Sequence, residues 1–161
     1  MEIRQLFHEQ LPDVRILVSV VFMEYEAPDY SEQGIKEFFD TALNNDDFMK
    51  NLQIYGAYQN NSLIGIIAMR NEGSHIALFF VDGNYHNQGI GKSLFNIVKE
   101  KCKANKITVN SSPYAQDVYH CLGFVDTDTE QIINGIRFIP MIYTKWAIHC
   151  VFLITSKIAS K

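Results

Sequence analysis

Residues 76–104 read I-A-L-F-F-V-D-G-N-Y-H-N-Q-G-I-G-K-S-L-F-N-I-V-K-E-K-C-K-A. The apolar run Ile76–Val81 has the length and the Phe, Val and Ile content of a buried strand. A polar turn over 82–88 follows, and then a helix with apolar residues on one side and lysines on the other. Gly89 and Gly91 lie where the turn becomes the helix. Since the first N–H groups of a helix lack internal partners, and glycine lets a ligand approach them, this stretch is typical of a phosphate site.

Two well-known glycine patterns for binding phosphate fail here, each at a defined position. Residues 91–93 supply the Gly-Lys-Ser end of a P-loop, but the first glycine of that motif falls on His86. Gly89 and Gly91 begin a dinucleotide-binding G-x-G-x-x-G, but its third glycine falls on Leu94. That pattern also needs an acidic residue roughly 20 positions on, and the predicted strand over 106–110 offers no clear candidate.

Composition favours one soluble globular domain. The chain has 161 residues, 47% of them apolar and 20% charged, with a net charge of −4. No basic patch dominates, so we expect no nucleic-acid partner. We interpret residues 1–145 as a single domain and residues 146–161 as an apolar C-terminal tail of unclear role. An exposed apolar tail would favour association, which suggests a homodimer.

Cysteine usage and the ends of the chain indicate a cytoplasmic protein. Cys102, Cys121 and Cys150 are far apart and form no C-x-x-C pair, so we expect neither a disulfide framework nor a structural metal site. The start of the sequence lacks the basic-then-apolar pattern of a signal peptide. No apolar run reaches the roughly 18 residues of a membrane span.

Periodicity and turn residues predict the element order β-α-α-β-β-β-α-β-α-β-β, an α/β mixed sheet. The predicted strands are Glu2–Phe7, Gln53–Gln59, Leu63–Arg70, Ile76–Val81, Ile107–Asn110, a strand beginning at Phe124-Val125, and Ile136–Tyr143. The predicted helices run from Pro12 to about Tyr25, from Ser31 to about Leu43, and from Tyr114 to Leu122, and a further helix that carries Leu94, Phe95, Ile97 and Val98 follows the glycines. Asn60-Asn61-Ser62 predicts a hairpin turn, and Gly123 predicts a helix end.

Two motifs resemble those of the GNAT superfamily of N-acetyltransferases. Residues 86–91, H-N-Q-G-I-G, are similar to its acetyl-CoA pyrophosphate loop [RQ]-x-x-G-x-[GA], with His86 in the place of Arg or Gln. Residues 118–124, V-Y-H-C-L-G-F, resemble its F-Y-x-x-L-G-F, with Val118 in the place of the first aromatic. Residues 110–115 and 134–141 resemble a bacterial branch of the family. The resemblance covers about 1–145 and implies a mixed, mostly antiparallel central sheet with helices on both faces.

The resemblance also implies acetyl-CoA as co-substrate and names the residues that would hold it. The strand before the loop would separate from the following strand and pair with the pantetheine arm through its backbone, one N–H polarising the thioester oxygen. The loop would wrap the pyrophosphate. The implied cofactor-binding residues are Phe79, Phe80, Val81, His86, Asn87, Gln88, Gly89, Ile90, Gly91, Lys92, Asn110 and Tyr119.

For catalysis the resemblance assigns Tyr119 as the general acid that protonates the departing sulfur. His75 falls where some members of the family place a catalytic glutamate, so it is a candidate general base. Glu72, Glu24 or an ordered water are the alternatives.

The expected activity is transfer of an acetyl group to a primary amine of a small molecule or peptide, in a ternary complex. Glu24, Tyr25 and Tyr30 are candidate acceptor-binding residues, with Glu26 and the segment 126–130 nearby, because acidic and aromatic side chains suit a cationic amine. The alternative is a non-catalytic acetyl-CoA sensor or a protein-interaction module on the same fold.

Overall fold

Residues 1–145, which the computed structural model describes, form eight strands and five α-helices. The predicted tail over 146–161 lies outside the described residues. The strands are β1 (Glu2–Leu6), β2 (Gln53–Gln59), β3 (Ser62–Arg70), β4 (His75–Val81), β5 (Lys106–Ser111), β6 (Val125–Asp126), β7 (Gln131–Ile133) and β8 (Ile136–Thr144). The helices are α1 (Leu11–Val21), α2 (Glu32–Phe38), α3 (Asp46–Lys50), α4 (Ile90–Lys101) and α5 (Gln116–Cys121).

All described strands belong to one sheet, in the order β1-β2-β3-β4-β5-β8-β6, with β7 paired to β8. Every described pairing is antiparallel except that of β4 with β5. The mixed, mostly antiparallel fold expected from the sequence is therefore confirmed. The crossover from β4 to its parallel neighbour β5 passes through α4, as a parallel connection requires.

Two short elements are missing from the predicted order. Helix α3 follows directly on the second predicted helix and is capped by Asn45, whose side chain accepts a hydrogen bond from the Phe48 N–H at 3.0 Å. Strand β7 has three residues and joins β8 through Asn134-Gly135, both with positive φ. Elements of three to five residues are too short to show a hydrophobic period, which is why the sequence did not reveal them.

The sheet separates two apolar cores, one on each face. Helix α4 packs on one face, and α1 packs on the other together with the chain around α2 and α3. Phe95 and Leu94 are buried in the first core, and Phe22 and Leu17 are buried in the second. The helices therefore lie on both faces of the sheet.

A β-bulge in β4 divides that strand between the two cores. Met69 of β3 pairs with Ile76, and Ala68 pairs with Leu78, so Ala77 is an extra residue without a partner on β3. Side chains on an extended strand alternate between faces, and one extra residue reverses the alternation. Ile76 accordingly lies in the core under α4, whereas Leu78 and Phe80 lie in the core under α1.

Strands β4 and β5 pair only at their beginnings and then separate. The paired residues are His75 with Thr108 and Ile76 with Val109. Beyond them β5 pairs with β8, and β3 is the single neighbour of β4 among the strands of residues 1–145. The sheet therefore has a wedge-shaped opening in its centre, which exposes one backbone edge of β4.

The β7–β8 hairpin is held against α2 by direct contact between two glycines. A Cβ atom built on Gly34 would lie 2.0 Å from the Gly135 carbonyl oxygen, and one built on Gly135 would lie 2.6 Å from the Gly34 nitrogen. The Asn134 side chain also donates a hydrogen bond to Glu37 at 3.1 Å. Backbone therefore meets backbone at this junction, which leaves no room for a side chain.

Replacing Gly34 with alanine should test that junction. In the interior of a helix this substitution usually stabilises a protein by up to about 1 kcal/mol. Here we expect it to lower the free energy of unfolding by about 2 kcal/mol, because the new methyl group collides with backbone that cannot move aside. Chemical denaturation measures the change.

The exposed neighbour Gln33 provides the control. Gln33→Ala should change the free energy of unfolding by less than about 0.5 kcal/mol. A Gly34→Ala variant as stable as the wild type would show that the hairpin is not docked on α2 in this way.

Candidate active site

A cavity of about 510 Å³ lies at the opening between β4 and β5. Residues of both strands form its floor, the chain from Glu26 to Phe48 forms one wall, and the β7–β8 hairpin covers it. Several lining residues have polar or titratable side chains: Glu26, Tyr30, Glu37, Arg70, His75, Asn110, Ser112 and Tyr119. The cavity therefore brings together side chains from distant parts of the sequence.

The glycine-rich loop presents the beginning of α4 to solvent. Gly89 is the N-cap residue, with φ +80°, and no side chain caps the helix there. A Cβ built on Gly89 would meet no atom of residues 1–145 within 4 Å, so this part of the chain leaves the space in front of the first helical N–H groups open. An uncapped N-terminus of a twelve-residue helix with a bare glycine in front of it fits an anion such as a pyrophosphate.

Gly91 also has a packing role, which its motif does not suggest. A Cβ built on Gly91 would lie 3.3 Å from the ring of Phe79 in β4. This glycine therefore allows α4 to pack closely on β4. Asn87, Gln88 and Lys92 are exposed around the loop, and Ile90 is buried beneath it.

The exposed edge of β4 carries backbone groups that face the opening. The Asp82 N–H donates to the carbonyl of Ile64 in β3 at 2.9 Å, so Asp82 faces β3. Backbone polar groups of successive strand residues point to opposite sides. Val81 and Phe79 therefore present their N–H and C=O groups to the opening, where an extended ligand can pair with them.

His86, which replaces the Arg or Gln of the resembled motif, turns back onto this edge. Its Nε2 lies 2.8 Å from the carbonyl oxygen of Val81. Because a carbonyl oxygen only accepts, Nε2 is the donor. The ring also lies 4.9 Å from that of Tyr25, which in turn lies 5.3 Å from that of Tyr114. Three aromatic side chains thus stand together at the entrance to the opening, from the end of α1, the loop and the segment after β5.

Tyr119 of α5 is buried in the cavity wall, with 5% of its surface exposed. Its ring makes edge contacts with Phe79 at 5.9 Å and Phe124 at 5.2 Å. Burial raises the pKa of Tyr119 above its usual value, and the charge of Glu26 adds to the rise. The phenol is therefore protonated throughout the neutral pH range, the state that a proton donor requires.

His75 lies in the cavity wall with both ring nitrogens engaged. Nε2 is 3.2 Å from Arg70 Nη2, and Nδ1 is 2.8 Å from Thr108 Oγ1. Burial, followed by the charge of Arg70, lowers the pKa of His75 to about 4. The ring is neutral at pH 7, and its low pKa makes it a weak acceptor for the proton of an ammonium group.

Glu26 has the properties of a base that His75 lacks. It ends the π-helical turn Phe22–Glu26 that follows α1, and it is partly buried. Burial raises the pKa of Glu26 to about 7, although a hydrogen bond from Ser112 opposes the rise. Its charge also raises the pKa values of Tyr30, Tyr114 and Tyr119. From the sequence, Glu26 was predicted only to lie near the acceptor site. The residues around a glutamate at a helix end do not indicate whether its side chain is buried.

The remaining candidates fall into two groups. Tyr30 and Asn110 line the cavity, and the Tyr30 hydroxyl donates to the Arg137 carbonyl at 3.0 Å. Glu24, Glu72 and residues 126–130 are not in its lining, and Tyr25 lies at the entrance. Within 126–130, Asp126 bonds His120 at 2.7 Å and Glu130 bonds Arg137 at 2.6 Å. Those carboxylates are paired with neighbours outside the cavity.

Residues 1–145 show neither a metal-binding cluster nor a membrane-spanning helix. No cluster of three or more His, Cys, Asp or Glu side chains there is arranged to hold a metal ion. No helix in this part of the chain has the length and apolar character to cross a membrane.

A mixed sheet that opens at a parallel strand pair, with a glycine-rich loop beside the opening, is the fold of solved GNAT acetyltransferase structures. The chain belongs to the GNAT acetyltransferase family, since the family model described as the acetyltransferase (GNAT) domain matches residues 26–145. No curated protein matches the sequence.

Solved structures agree with this fold. The GCN5-related N-acetyltransferase from Rhodopseudomonas palustris is 17% identical, with a TM-score of 0.74 over 89% of this chain and 94% of that chain. The PaiA N-acetyltransferase from Thermoplasma acidophilum, in complex with coenzyme A, is 20% identical, with a TM-score of 0.70 over 89% and 99%. An aminoglycoside 6′-N-acetyltransferase complexed with coenzyme A is 12% identical, with a TM-score of 0.64 over 90% and 97%. At these identities the likeness concerns the fold alone.

Proposed function

We propose that this protein is an N-acetyltransferase that moves the acetyl group of acetyl-CoA to a primary amine by direct transfer in a ternary complex. The observation that carries the proposal is the cavity in which Tyr119 and Glu26 stand beside the exposed edge of β4. The open N-terminus of α4 lies at the end of that edge. A proton donor, a proton acceptor and a site for a phosphate-bearing thioester are thus combined.

The exposed backbone of β4 would bind and polarise the thioester. The backbone groups of Phe79 and the N–H of Val81, which have no strand partner, offer the pantetheine arm the hydrogen bonds of an added strand. The Val81 carbonyl is bound by His86. An N–H on this edge can donate to the thioester oxygen, where negative charge develops as the amine attacks. The pyrophosphate would lie against Gly89 and the first turn of α4.

Glu26 and Tyr119 would move the protons. With a pKa near 7, the Glu26 carboxylate can take a proton from the attacking amine directly or through water. Tyr119 would donate its hydroxyl proton to the sulfur as the carbon–sulfur bond breaks. The proton held by Glu26 can then return to the Tyr119 oxygen, which restores both side chains. We therefore favour Glu26 over His75 as the base.

The acceptor would enter from the covered side of the cavity. Glu26, Glu37 and Tyr30 give that side carboxyl and phenol groups, which suit an amine. The solved aminoglycoside acetyltransferase of this fold takes a small-molecule amine. The proposed acceptor is accordingly a small molecule or peptide amine, and the predicted homodimer remains a prediction.

Calorimetric titration with acetyl-CoA tests the proposal, with ATP and NAD as controls. We expect micromolar binding of acetyl-CoA alone, followed by thiol release with an amine found by screening. In a Gly89→Ala variant the affinity for acetyl-CoA should fall at least tenfold, because the methyl group projects into the open space before the helical N–H groups.

Gly73→Ala is the matched control for this variant. Gly73 also has a positive φ, +83°, and lies in an open turn away from the loop. Both variants should lose about 1 kcal/mol of stability to backbone strain, but only Gly89→Ala should lose affinity. No binding of acetyl-CoA by the wild type would contradict the proposal.

A further inference from the structure

The cavity wall carries one cation and two carboxyl groups that no ion pair neutralises. Arg70, Glu26 and Glu37 all line the cavity. Within residues 1–145, none of the three forms a salt bridge, although Arg4, Arg15 and Arg137 each do. Charged groups that face a cavity without an ion-pair partner are available to a ligand of the opposite charge.

The Arg70 guanidinium is held in place without being neutralised. A guanidinium only donates, so His75 Nε2 accepts from it at 3.2 Å. The imidazole proton is therefore on Nδ1, which donates to Thr108 Oγ1 at 2.8 Å. The Thr108 hydroxyl can then donate to the Ser74 carbonyl at 3.4 Å. This chain of hydrogen bonds runs from β5 through β4 to Arg70 and leaves the positive charge of Arg70 intact.

We propose that Arg70 binds a carboxylate carried by the acceptor amine, and that His75 is the residue that positions Arg70 for this role. The acceptor is then an ω-amino carboxylate, with its amine directed to Glu26 and its carboxylate directed to Arg70. This assignment rests on the proposed acetyl transfer and narrows its substrate class. It also gives His75 a function in the site other than that of a base.

The spacing along β4 sets the length of the acceptor. Tyr119 packs on Phe79, so the reacting centre lies near that residue. His75 is four residues earlier, which corresponds to about 13 Å along an extended strand and somewhat less across the bulge at Ala77. The Arg70 guanidinium lies beside His75, so this distance is an upper limit for the separation of amine and carboxylate. A five- or six-carbon chain such as 6-aminohexanoate fits this separation better than glycine does.

The two free carboxyl groups also suit a second amine, so a diamine is the competing ligand. Cadaverine has a similar chain with an amine in the place of the carboxylate. If Glu37 rather than Arg70 governs recognition, cadaverine will bind more tightly than 6-aminohexanoate, and that result overturns the proposal.

Binding measured without chemistry tests the proposal independently of acetyl transfer. The full chain is titrated with 6-aminohexanoate, hexylamine and cadaverine, with and without coenzyme A, by calorimetry or NMR. We expect 6-aminohexanoate to bind the wild type about tenfold more tightly than hexylamine. Arg70→Gln should abolish the difference, and Arg4→Gln, which removes an arginine of β1 outside the cavity, should preserve it.

Equal affinities of the wild type for 6-aminohexanoate and hexylamine, or no binding of either, overturn the assignment. An unchanged preference in Arg70→Gln does so as well. If the preference is found but no amine is acetylated, the proposed function fails while the Arg70 site stands.

Steady-state kinetics distinguishes a positioning role of His75 from the role of a general base. His75→Gln keeps an acceptor for Arg70 and a donor for Thr108, so we expect nearly wild-type kcat and KM with 6-aminohexanoate. His75→Leu should raise KM severalfold and leave kcat within about threefold. A large fall of kcat in both variants would make His75 a catalytic residue and remove its positioning role.

Discussion

Replacing Tyr119 with phenylalanine should lower kcat about a hundredfold and leave the affinity for acetyl-CoA within about threefold of the wild type. The phenylalanine ring keeps the edge contacts with Phe79 and Phe124, so the wall of the cavity is preserved. Only the hydroxyl that would protonate the sulfur is lost. Steady-state kinetics with an acceptor found by screening, together with calorimetric titration, measures the two effects separately.

Tyr143→Phe is a matched control for this prediction. Tyr143 of β8 also packs on Phe124, at 5.7 Å, but it does not line the cavity. Its replacement should leave kcat within about twofold. If Tyr119→Phe weakened binding and turnover equally, Tyr119 would be a packing residue and the general acid would have to be sought elsewhere.

Replacing Glu26 with glutamine should lower kcat/KM by roughly a hundredfold at pH 8 and remove a pH dependence centred near 7. In the wild type, the fraction of Glu26 that is ionised rises through pH 7, since its pKa lies at about that value. The kcat/KM of the wild type should therefore rise together with the ionised fraction of Glu26. Because the acceptor amine titrates identically in both proteins, the ratio of the two pH profiles isolates Glu26. Glu37→Gln, which alters the other free carboxyl of the cavity, should keep the inflection.

The same substitution should stabilise the fold at alkaline pH. The pKa of Glu26 is raised from about 4.5 to about 7 in the folded state, so its ionised form is disfavoured there. The contribution of Glu26 to stability is therefore fully present below pH 4.5 and is lost as the pH rises to about 7. Glu26→Gln removes this loss, and we expect it to gain on the order of 2 kcal/mol at pH 8 and little at pH 4. If the pH profile of kcat/KM for Glu26→Gln keeps an inflection near pH 7, another group is the base.

The parts of the fold with strong local signals were predictable. The hairpin between β2 and β3 follows from its two asparagines, which adopt φ of 51° and 64°. The strand–loop–helix unit around Gly89 follows from an apolar run beside glycines. By contrast, the bulge at Ala77 lies in a run that is apolar at every position, so the sequence carries no phase information from which to locate it.

The proposed chemistry of the site was harder to predict because it depends on burial. Tyr119 is a candidate through the resemblance of its motif, whereas Glu26 and Arg70 belong to no motif. Their properties arise from what the chain brings beside them: Ser112 against Glu26, and His75 against Arg70. His75 was singled out as a candidate base by its position on β4. Its hydrogen-bond partners instead favour a positioning role, and one of them, Thr108, lies 33 residues away along the chain.

The bulge at Ala77 has a consequence for how this enzyme could be diversified. Since β4 supplies side chains to both cores and its exposed edge to the proposed thioester site, an insertion or deletion there would disturb both the packing and the proposed chemistry. The covering hairpin and the chain around α3 contact the acceptor side without carrying the reacting edge. Directed evolution toward new amines should therefore vary the β7–β8 hairpin and the chain around α3, and keep β4 unchanged.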